Sequence, residues 1–562
     1  MNKTVNADTE KLTKRANKTN STKRIIPYEY ILNKNNVSLL ETIVDVILSN
    51  RYSFMDSIYT LCNTLLRQYN IYSNANVQQV LSDYNTDCCI ISELSQYTLP
   101  MNEFDFIGAV YQSLLLEGNK NSAGSYYTPQ KISLNMTKDF NFSAKQNFLD
   151  PCCGSGSFLL SLDCQNPECI YGLDNDKIAV LIAKTNLLCK YNNYSFMPNV
   201  YCIDYIEKAS LSSDPIANKY FDYICTNPPW GAVINNKGYL PLIKSNETFS
   251  IFFVLSFEKL KPNGSIRFLF PESILNVKVH KDIRAFLLNN CAIDSITFYN
   301  EAFTGVLTSY VDILAYKSAP NNAVNIIKDE KTFNIPIENF KQTENLVFSI
   351  LENIDMTILE KIRAVSPYTL TQSKWGLGII TGNNKEKLFD TPLEGMEQIY
   401  TGKEITKYSL KPAHKYIVFD RKQLQQVAKD EIYRSPEKLV YKFISNKLVF
   451  AYDDSQSLFL NSANILIPSI AGMSTKTVMA FLNSDLYSFL YKKLFNEIKI
   501  LKGNLLQLPF PKISTETDKQ IEQIVSKIII SQDAVLIEEL QKIIYQVFEL
   551  TEEEILYIKS QI

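Results

Sequence analysis

Histidine is nearly missing from this chain, with two among 562 residues, and no cysteine follows Cys291, all eleven lying between Cys62 and that position. Cys164 and Cys169 are separated by four residues, with no second pair at the spacing a structural zinc needs, so no metal site is expected. The adjacent pairs Cys88/Cys89 and Cys152/Cys153 suit a reducing compartment better than a disulfide framework. No apolar run reaches the roughly 20 residues of a membrane span, and the first residues hold no apolar signal core. A cytoplasmic chain with no membrane partner is therefore expected. An excess of positive charge is lacking too, since 57 Lys and Arg face 59 Asp and Glu. Finally, there is no acidic-acidic-lysine nuclease constellation with room for its own domain, so strand cleavage by this chain is not expected.

What remains is an ordinary globular composition, 46% hydrophobic and 21% charged, over a length that calls for two or three domains. The stretch that organises it runs from Asn147 to Trp230. Phe148 to Asp150 reads as a short buried strand. It breaks into Pro151, Cys152, Cys153, Gly154, Ser155, Gly156, Ser157 and Phe158, a loop with two glycines two apart and the apolar start of a helix. Glycines in such a turn let backbone N–H groups approach a ligand closely. A second strand, Cys169 to Leu173, leads to Asp174 about twenty residues after the glycines, where an acid can accept both ribose hydroxyl protons. A third, Phe221 to Cys225, precedes Asn227, Pro228, Pro229 and Trp230, which puts that tetrapeptide at the carboxyl edge of the same sheet. Ligands collect at that edge in doubly wound sheets.

The two segments, Asp150-Pro151 through Gly154-Ser155-Gly156 to Phe158 and Asn227-Pro228-Pro229-Trp230, carry a resemblance to the S-adenosylmethionine-dependent DNA amino-methyltransferases, in the order and spacing of that family. The chemistry asks for such residues. An exocyclic amine is a poor nucleophile because its lone pair is delocalised into the ring. Acceptors such as the Asn227 amide oxygen and the Pro228 carbonyl can hold both N–H protons while the nitrogen turns pyramidal. Two prolines stiffen the loop, and Trp230 offers an aromatic face to a base drawn out of the duplex. Pro-Cys dipeptides carry the nucleophile of cytosine C5 methyltransferases. Here Pro151-Cys152 lies in the cofactor loop, so both cysteines read as small loop residues and no covalent intermediate is expected.

Ahead of the glycine loop stands Gly124-Ser125-Tyr126-Tyr127-Thr128-Pro129. By itself it is a helix start, with Thr128 as cap and Pro129 in the first position. It also resembles the segment that wraps the methionine end of the cofactor in the gamma, TaqI-like group, which methylates adenine N6; the resemblance implies cofactor contacts for Tyr127 and Thr128. It further implies that Asp204 meets the adenine amino group of the cofactor and that Phe303 packs on the flipped base.

Read in order, residues 1–24 form a basic arm without periodic apolar positions, expected to be disordered. Residues 25–118 are a helical region, with amphipathic stretches at Val37 to Leu48 and Phe54 to Leu66, and with Ile107, Val110, Tyr111 and Leu114 recurring behind an Asn102 cap. Its expected role is to brace the catalytic domain. Strands and helices alternate through 119–345, the pattern of a mostly parallel sheet covered on both faces, although it loosens after Lys317. A linker helix occupies 346–375. From Gly376 to about residue 513 the texture changes to short β-prone runs with lysines and tyrosines interleaved, as in Tyr441-Lys442-Phe443 and Tyr491-Lys492-Lys493, closing on Leu508-Pro509-Phe510-Pro511. Between Lys374 and Lys512 there are 20 Lys and Arg against 13 Asp and Glu, whereas Glu516 to Lys559 carries 4 against 10. That layout is similar to the target-recognition domain of gamma-type enzymes, a partner surface for phosphates and bases. Within 514–562 two amphipathic helices with acidic outer faces, Ile521 to Ile530 and Leu536 to Phe548, are expected, then a short acidic end.

The expectation is thus an α/β fold: a doubly wound, Rossmann-like methyltransferase sheet with a helical N-terminal region and a C-terminal α+β target-recognition domain. As the resemblance implies, it would bind S-adenosylmethionine and double-stranded DNA, flip an adenine and methylate N6. It would serve as the modification enzyme of a restriction system with a separate cognate endonuclease, as monomer or dimer. A modification subunit that needs a separate specificity subunit remains open, as does an RNA or protein N-methyltransferase. The latter two do not need some 140 residues of recognition domain.

Overall fold

The computed structural model describes residues 24–85, 88–116, 128–140, 142, 145–207, 214–231, 243–299, 309–343, 345–495 and 499–562. The basic arm apart from Arg24, and both Tyr127 and Phe303, lie outside the described residues. The chain divides into two compact units, Met1–Phe348 and Ser349–Ile562.

The first unit is built on a nine-stranded sheet in the order β3-β2-β1-β4-β5-β7-β6-β8-β9. The strands are β1 (Phe148–Asp150), β2 (Ile170–Asp174), β3 (Asn199–Cys202), β4 (Phe221–Thr226), β5 (Leu260–Pro271), β6 (Ala292–Tyr299), β7 (Tyr310–Tyr316), β8 (Ala323–Lys328) and β9 (Lys331–Pro336). From β3 to β5 every pairing is parallel. Burial of β1 and most of β2 on both faces accounts for their continuous apolar sequences. Strand β7 then inserts antiparallel between β5 and β6. The order of the parallel half reverses at β1, so the loops after β1 and β4 open onto one crevice, the place a doubly wound sheet offers a ligand.

The pattern that loosens after Lys317 hides more of this sheet. Strands β8 and β9 form a hairpin, and β8 runs parallel to β6. The turn between them puts Asp329 and Glu330 at φ of 50° and 63°. Neither is a glycine or asparagine, so the usual mark of a left-handed hairpin turn is missing from the sequence.

Helices α1 (Val37–Ser49), α2 (Phe54–Gln68), α3 (Ala75–Asn85) and α4 (Phe106–Leu114) precede the sheet. Leu40, Ile43, Val44 and Ile47 give α1 one buried stripe at helical spacing. These helices share a single hydrophobic core with Phe148, Ile170 and the inner face of α7 (Lys177–Lys190). Between α4 and α7 lie α5 (Gln130–Thr137) and the five-residue α6 (Ser157–Ser161). Two caps differ from expectation. Asp105, not Asn102, caps α4 by accepting from Gly108 N. Pro129 occupies the cap position of α5, which begins at Gln130, and Thr128 Oγ1 accepts from Asn227 Nδ2.

The second unit opens with α11 (Asn353–Val365), which follows the short α10 (Ile337–Lys341) and the helices α8 (Thr248–Glu258) and α9 (Lys281–Asn290) of the first unit. Its strands are β10 (Lys374–Leu377), β11 (Glu397–Tyr400), β12 (Lys415–Ile417), β13 (Lys438–Lys442), β14 (Phe450–Asp453), β15 (Leu458–Phe459) and β16 (Ala463–Ile467). They form an antiparallel sheet, β10-β16-β13-β14, and a smaller one, β12-β11-β15. Across β13 and β14 the buried Lys438 ammonium pairs with Asp453 and donates to the Tyr433 carbonyl at 2.7 Å. Both charged groups are thereby compensated inside the core, without which their burial would be costly. Helices α12 (Thr475–Asn483), α13 (Asp485–Phe495), α14 (Thr515–Ser531), α15 (Ala534–Val547) and α16 (Glu552–Gln561) pack into one cluster that includes Ile358 and Leu359 of α11. Buried Asp355 ties three of these helices together, accepting from Lys493 Nζ and Tyr557 OH, each at 2.9 Å. The acidic tail therefore folds into the second unit. Among the described residues no helix is long and apolar enough to cross a membrane.

Candidate active site

Strand β1 delivers Asp150 into the crevice, almost fully buried at 1% exposure. Its Oδ1 accepts from Thr226 Oγ1 at 2.6 Å and from Cys152 N at 3.2 Å. Its Oδ2 is buried and accepts nothing from the described residues. Burial pushes this carboxyl up to about 7. A buried carboxylate oxygen without a donor is the sort of acceptor that an N–H of a bound cofactor would satisfy.

The loop after β1 turns at Gly154 (φ 52°) and Gly156 (φ 101°), conformations that side chains with a Cβ avoid. Gly154 N donates to Asp174 Oδ2 at 2.8 Å, and Cys153 N to the Leu173 carbonyl at 2.8 Å, so the loop is fastened to the end of β2. Asp174 Oδ1 accepts from Asp176 N at 2.9 Å. Burial pushes the Asp174 carboxyl up to about 6. Asp150, Gly154, Gly156 and Asp174 are thus brought into one neighbourhood.

Strand β4 carries the second segment into the same place. Cys152 Sγ lies 2.9 Å from Thr226 Oγ1 and 3.4 Å from the Asn227 carbonyl, bridging the two loops. Burial raises the Cys152 and Cys153 thiols well above their ordinary value, the reverse of what a nucleophilic thiolate needs. Asn227 Nδ2 donates to Thr128 Oγ1 at 3.2 Å. Trp230 Nε1 donates to the Leu269 carbonyl at 3.2 Å, and its ring lies 6.1 Å from that of Tyr310, which stacks on Tyr299 at 5.3 Å. Pro228 and Pro229 sit in the turn between them, ahead of Gly231 at φ 72°. Asp204 stands apart: it is exposed two residues beyond β3, and its Oδ1 accepts from Ile206 N and Glu207 N of its own turn.

Several supports of this site are absent from the motifs. Arg267 on β5 holds Asp312 of β7 at 2.7 Å and donates to the carbonyls of Asn135 and Met136 in the last turn of α5. Asp312 also accepts from Tyr299 OH at 2.6 Å, and Tyr299 OH accepts from Asn135 Nδ2 at 2.9 Å. Together they anchor the helix that follows Thr128. Asp105, at the start of α4, accepts from Ser155 Oγ in the glycine loop and from Asn186 Nδ2 at 2.8 Å. An isolated charge on an apolar strand, as with Arg267 on β5, was the one sequence signal available for any of these.

Parts of both units resemble known proteins. Residues 102–357 match the N-6 DNA Methylase family, and residues 397–510 match the TaqI-like C-terminal specificity domain. The Type II methyltransferase M.VspI of Vibrio sp. (strain 343) is 30% identical over 316 residues, 53% of this chain and 74% of that protein. The Type II methyltransferase M.HincII of Haemophilus influenzae is 24% identical over 224 residues, which make up 38% of this chain and 40% of that one, so less than half of that relative is spanned. Among solved structures, the Type IIL restriction-modification enzyme MmeI in complex with DNA gives a TM-score of 0.55 at 12% identity, covering 95% of this chain and 94% of that one. This last likeness is one of fold.

Proposed function

Because this chain belongs to the restriction-modification DNA methyltransferases built on an N-6 DNA methylase domain, we propose that it transfers a methyl group from S-adenosylmethionine to N6 of an adenine flipped from double-stranded DNA. When bound, the cofactor would supply an electrophilic sulfonium methyl. Asp174 would accept from the ribose hydroxyls, and the orphaned Asp150 Oδ2 from a donor at the methionine side of the loop turned by Gly154 and Gly156. Thr128 would close that side together with Tyr127, and Asp204 would meet the cofactor's adenine.

The observation that carries this reading is the tie between the two loops. Cys152 and Thr226 hold the Asn227-Pro228-Pro229-Trp230 turn against the Asp150 loop, which supports a reading in which acceptors for the target amine would lie beside a cofactor cradle. With its nitrogen on Thr128, the Asn227 amide presents an oriented dipole; its oxygen and the Pro228 carbonyl would draw the amine's protons toward them as the nitrogen attacks. Trp230, its indole fixed by Leu269, would stack on the extruded base with Phe303. The match of residues 397–510 to a specificity domain supports site-selective action on DNA.

The test is to express the chain in a host without adenine methylation and to map modified bases genome-wide by polymerase-kinetic sequencing. N6-methyladenine at one short recurring sequence is expected. A blank map from folded, cofactor-binding protein would instead indicate a required specificity subunit, or RNA or protein as the acceptor.

A further inference from the structure

We propose that α4 is part of the cofactor site, with Tyr111 and Asp105 acting as positioning residues for the ribose acid and for the glycine loop. The inference rests on the reading of the crevice as an S-adenosylmethionine site. It assigns to the helical region a task beyond bracing the sheet.

Two arms reach from α4 and its cap to the crevice loops. Tyr111 OH donates to Asp176 Oδ2 at 2.6 Å. The other oxygen of Asp176 caps α7 by accepting from Ile178 N at 2.8 Å and Ala179 N at 3.3 Å, so the carboxylate is gripped from both ends. Its backbone N–H in turn donates to Asp174 Oδ1 at 2.9 Å, while Gly154 N takes Asp174 Oδ2. The ribose acid thus receives one N–H from the glycine loop and one from the residue that Tyr111 fixes.

The second arm is the Asp105 carboxylate, 2% exposed. It accepts from Ser155 Oγ, from Asn186 Nδ2 and from Gly108 N, and the same Asn186 amide donates to the Ser155 carbonyl at 3.1 Å. Ser155 is therefore held through both its side chain and its backbone, between the two glycines whose left-handed turns shape the loop. A Cβ on Gly108 would collide with the Asp105 carboxylate, so glycine at that position is what lets the side chain fold back over its own helix. Burying an acid this deeply is favourable only with such a full set of donors. A helix that merely packed on α7 would need apolar contacts and none of these.

Ribose contacts and general folding are separable by experiment. Isothermal titration of the full chain with S-adenosylhomocysteine and with its 2′,3′-dideoxy analogue gives two dissociation constants for each variant. Tyr111→Phe keeps the ring and removes only the hydroxyl. It is expected to weaken the natural compound about tenfold, as loss of a hydrogen bond to a carboxylate does, and to leave the dideoxy analogue unchanged. Equal weakening of both compounds, or none, would overturn the ribose arm. Ser155→Ala, a small change that leaves Asp105 two other donors, is expected to weaken both compounds about threefold or more while cooperative melting persists; unchanged affinity for both would overturn the loop arm. If the wild-type chain bound neither compound, the cofactor reading itself would fail, an outcome distinct from a silent variant.

Discussion

Asn227 and Thr128 meet across 99 positions of sequence, the Asn227 amide nitrogen donating to the Thr128 hydroxyl at 3.2 Å. One carries the proposed acceptor for the target amine; the other opens the segment that runs into α5. Fixing the nitrogen sets the plane of the amide, and with it the direction in which the carbonyl dipole points. Asn227→Ala is expected to lower the single-turnover rate by about a hundredfold or more while leaving the cofactor dissociation constant nearly unchanged, since the lost contact matters chiefly in the transition state. A mutant that kept more than about a tenth of the rate, roughly 1.4 kcal/mol of barrier, would sink the role assigned to it. Thr128→Val should cost about tenfold in the same rate, and Thr128→Ser should restore most of it.

Acidity gives a test that needs no mutation. Burial holds Asp174 up to about 6 and Asp150 up to about 7. Ionised Asp174 would accept from both ribose hydroxyls and ionised Asp150 from the cofactor donor proposed above, so cofactor affinity should be full only above about pH 8 and fall as pH drops through 7 and then 6, by up to about tenfold per pH unit while one proton is taken up and more steeply once both are. The share of ligand-free stability that these two acids contribute should move the other way. Both folded-state values lie above the unfolded value near 4, so between about pH 4 and 7 these two groups bind more protons in the folded chain than in the unfolded one, and their contribution to stability rises as pH falls through that window. Calorimetric titrations and melting curves at matched pH would show the two trends crossing. Asp174→Asn should flatten its share of both.

Two glycines near the crevice should respond differently to a methyl group. At Gly156 the backbone has φ 101° but the nearest atom to an added Cβ is Ala183 Cβ at 3.5 Å, so Gly156→Ala has room and suffers from backbone conformation, a cost of about 1–2 kcal/mol. Relaxing that strain would reshape the loop, and cofactor affinity should fall along with the melting temperature. At Gly172 an added Cβ would come within 2.9 Å of Leu159 Cδ1 and 3.0 Å of Cys153 Sγ. Gly172→Ala should therefore lower stability by about 1–3 kcal/mol through overpacking, with a smaller effect on affinity. Equal affinity losses in the two variants would contradict this division.

The contrast between these glycines also shows what could be read in advance. Gly154 and Gly156 stand in a motif whose spacing reflects local chain geometry, as do the strand ends at Asp150, Asp174 and Thr226, so sheet and crevice were legible together. Continuous apolar runs marked β1 and β2 because a parallel strand is buried on both faces. Asp105 and Tyr111 were not legible as site residues. Their partners Ser155 and Asp176 lie 50 and 65 positions away, and an acid at the head of an amphipathic helix looks the same whether it caps that helix or also clamps a loop. The hairpin of β8 and β9 was missed for a different reason: Asp329 and Glu330 accept a left-handed turn that the sheet pairing enforces.

The second unit calls for care in how its contribution is measured. Deleting residues 376–512 would take away β11 to β16 together with α12 and α13, and leave α11 and α14 to α16 without the partners that cover Ile358, Ile521, Val525, Leu540 and Ile544. Those exposed apolar faces would drive aggregation, and lost DNA binding would then say nothing about recognition. Ending the chain at Phe348 respects the boundary between the two units, because the core beneath α1, α2, α4 and the parallel half of the sheet lies wholly within residues 1–348. The 1–348 fragment is expected to melt cooperatively and to bind S-adenosylhomocysteine within about threefold of the full chain, as a unit that keeps all its site contacts should. Fluorescence anisotropy with duplexes that do and do not contain the methylated sequence should show discrimination by the full chain and none by the fragment. A folded fragment that kept its site preference would place sequence reading in the first unit and remove that role from residues 397–510.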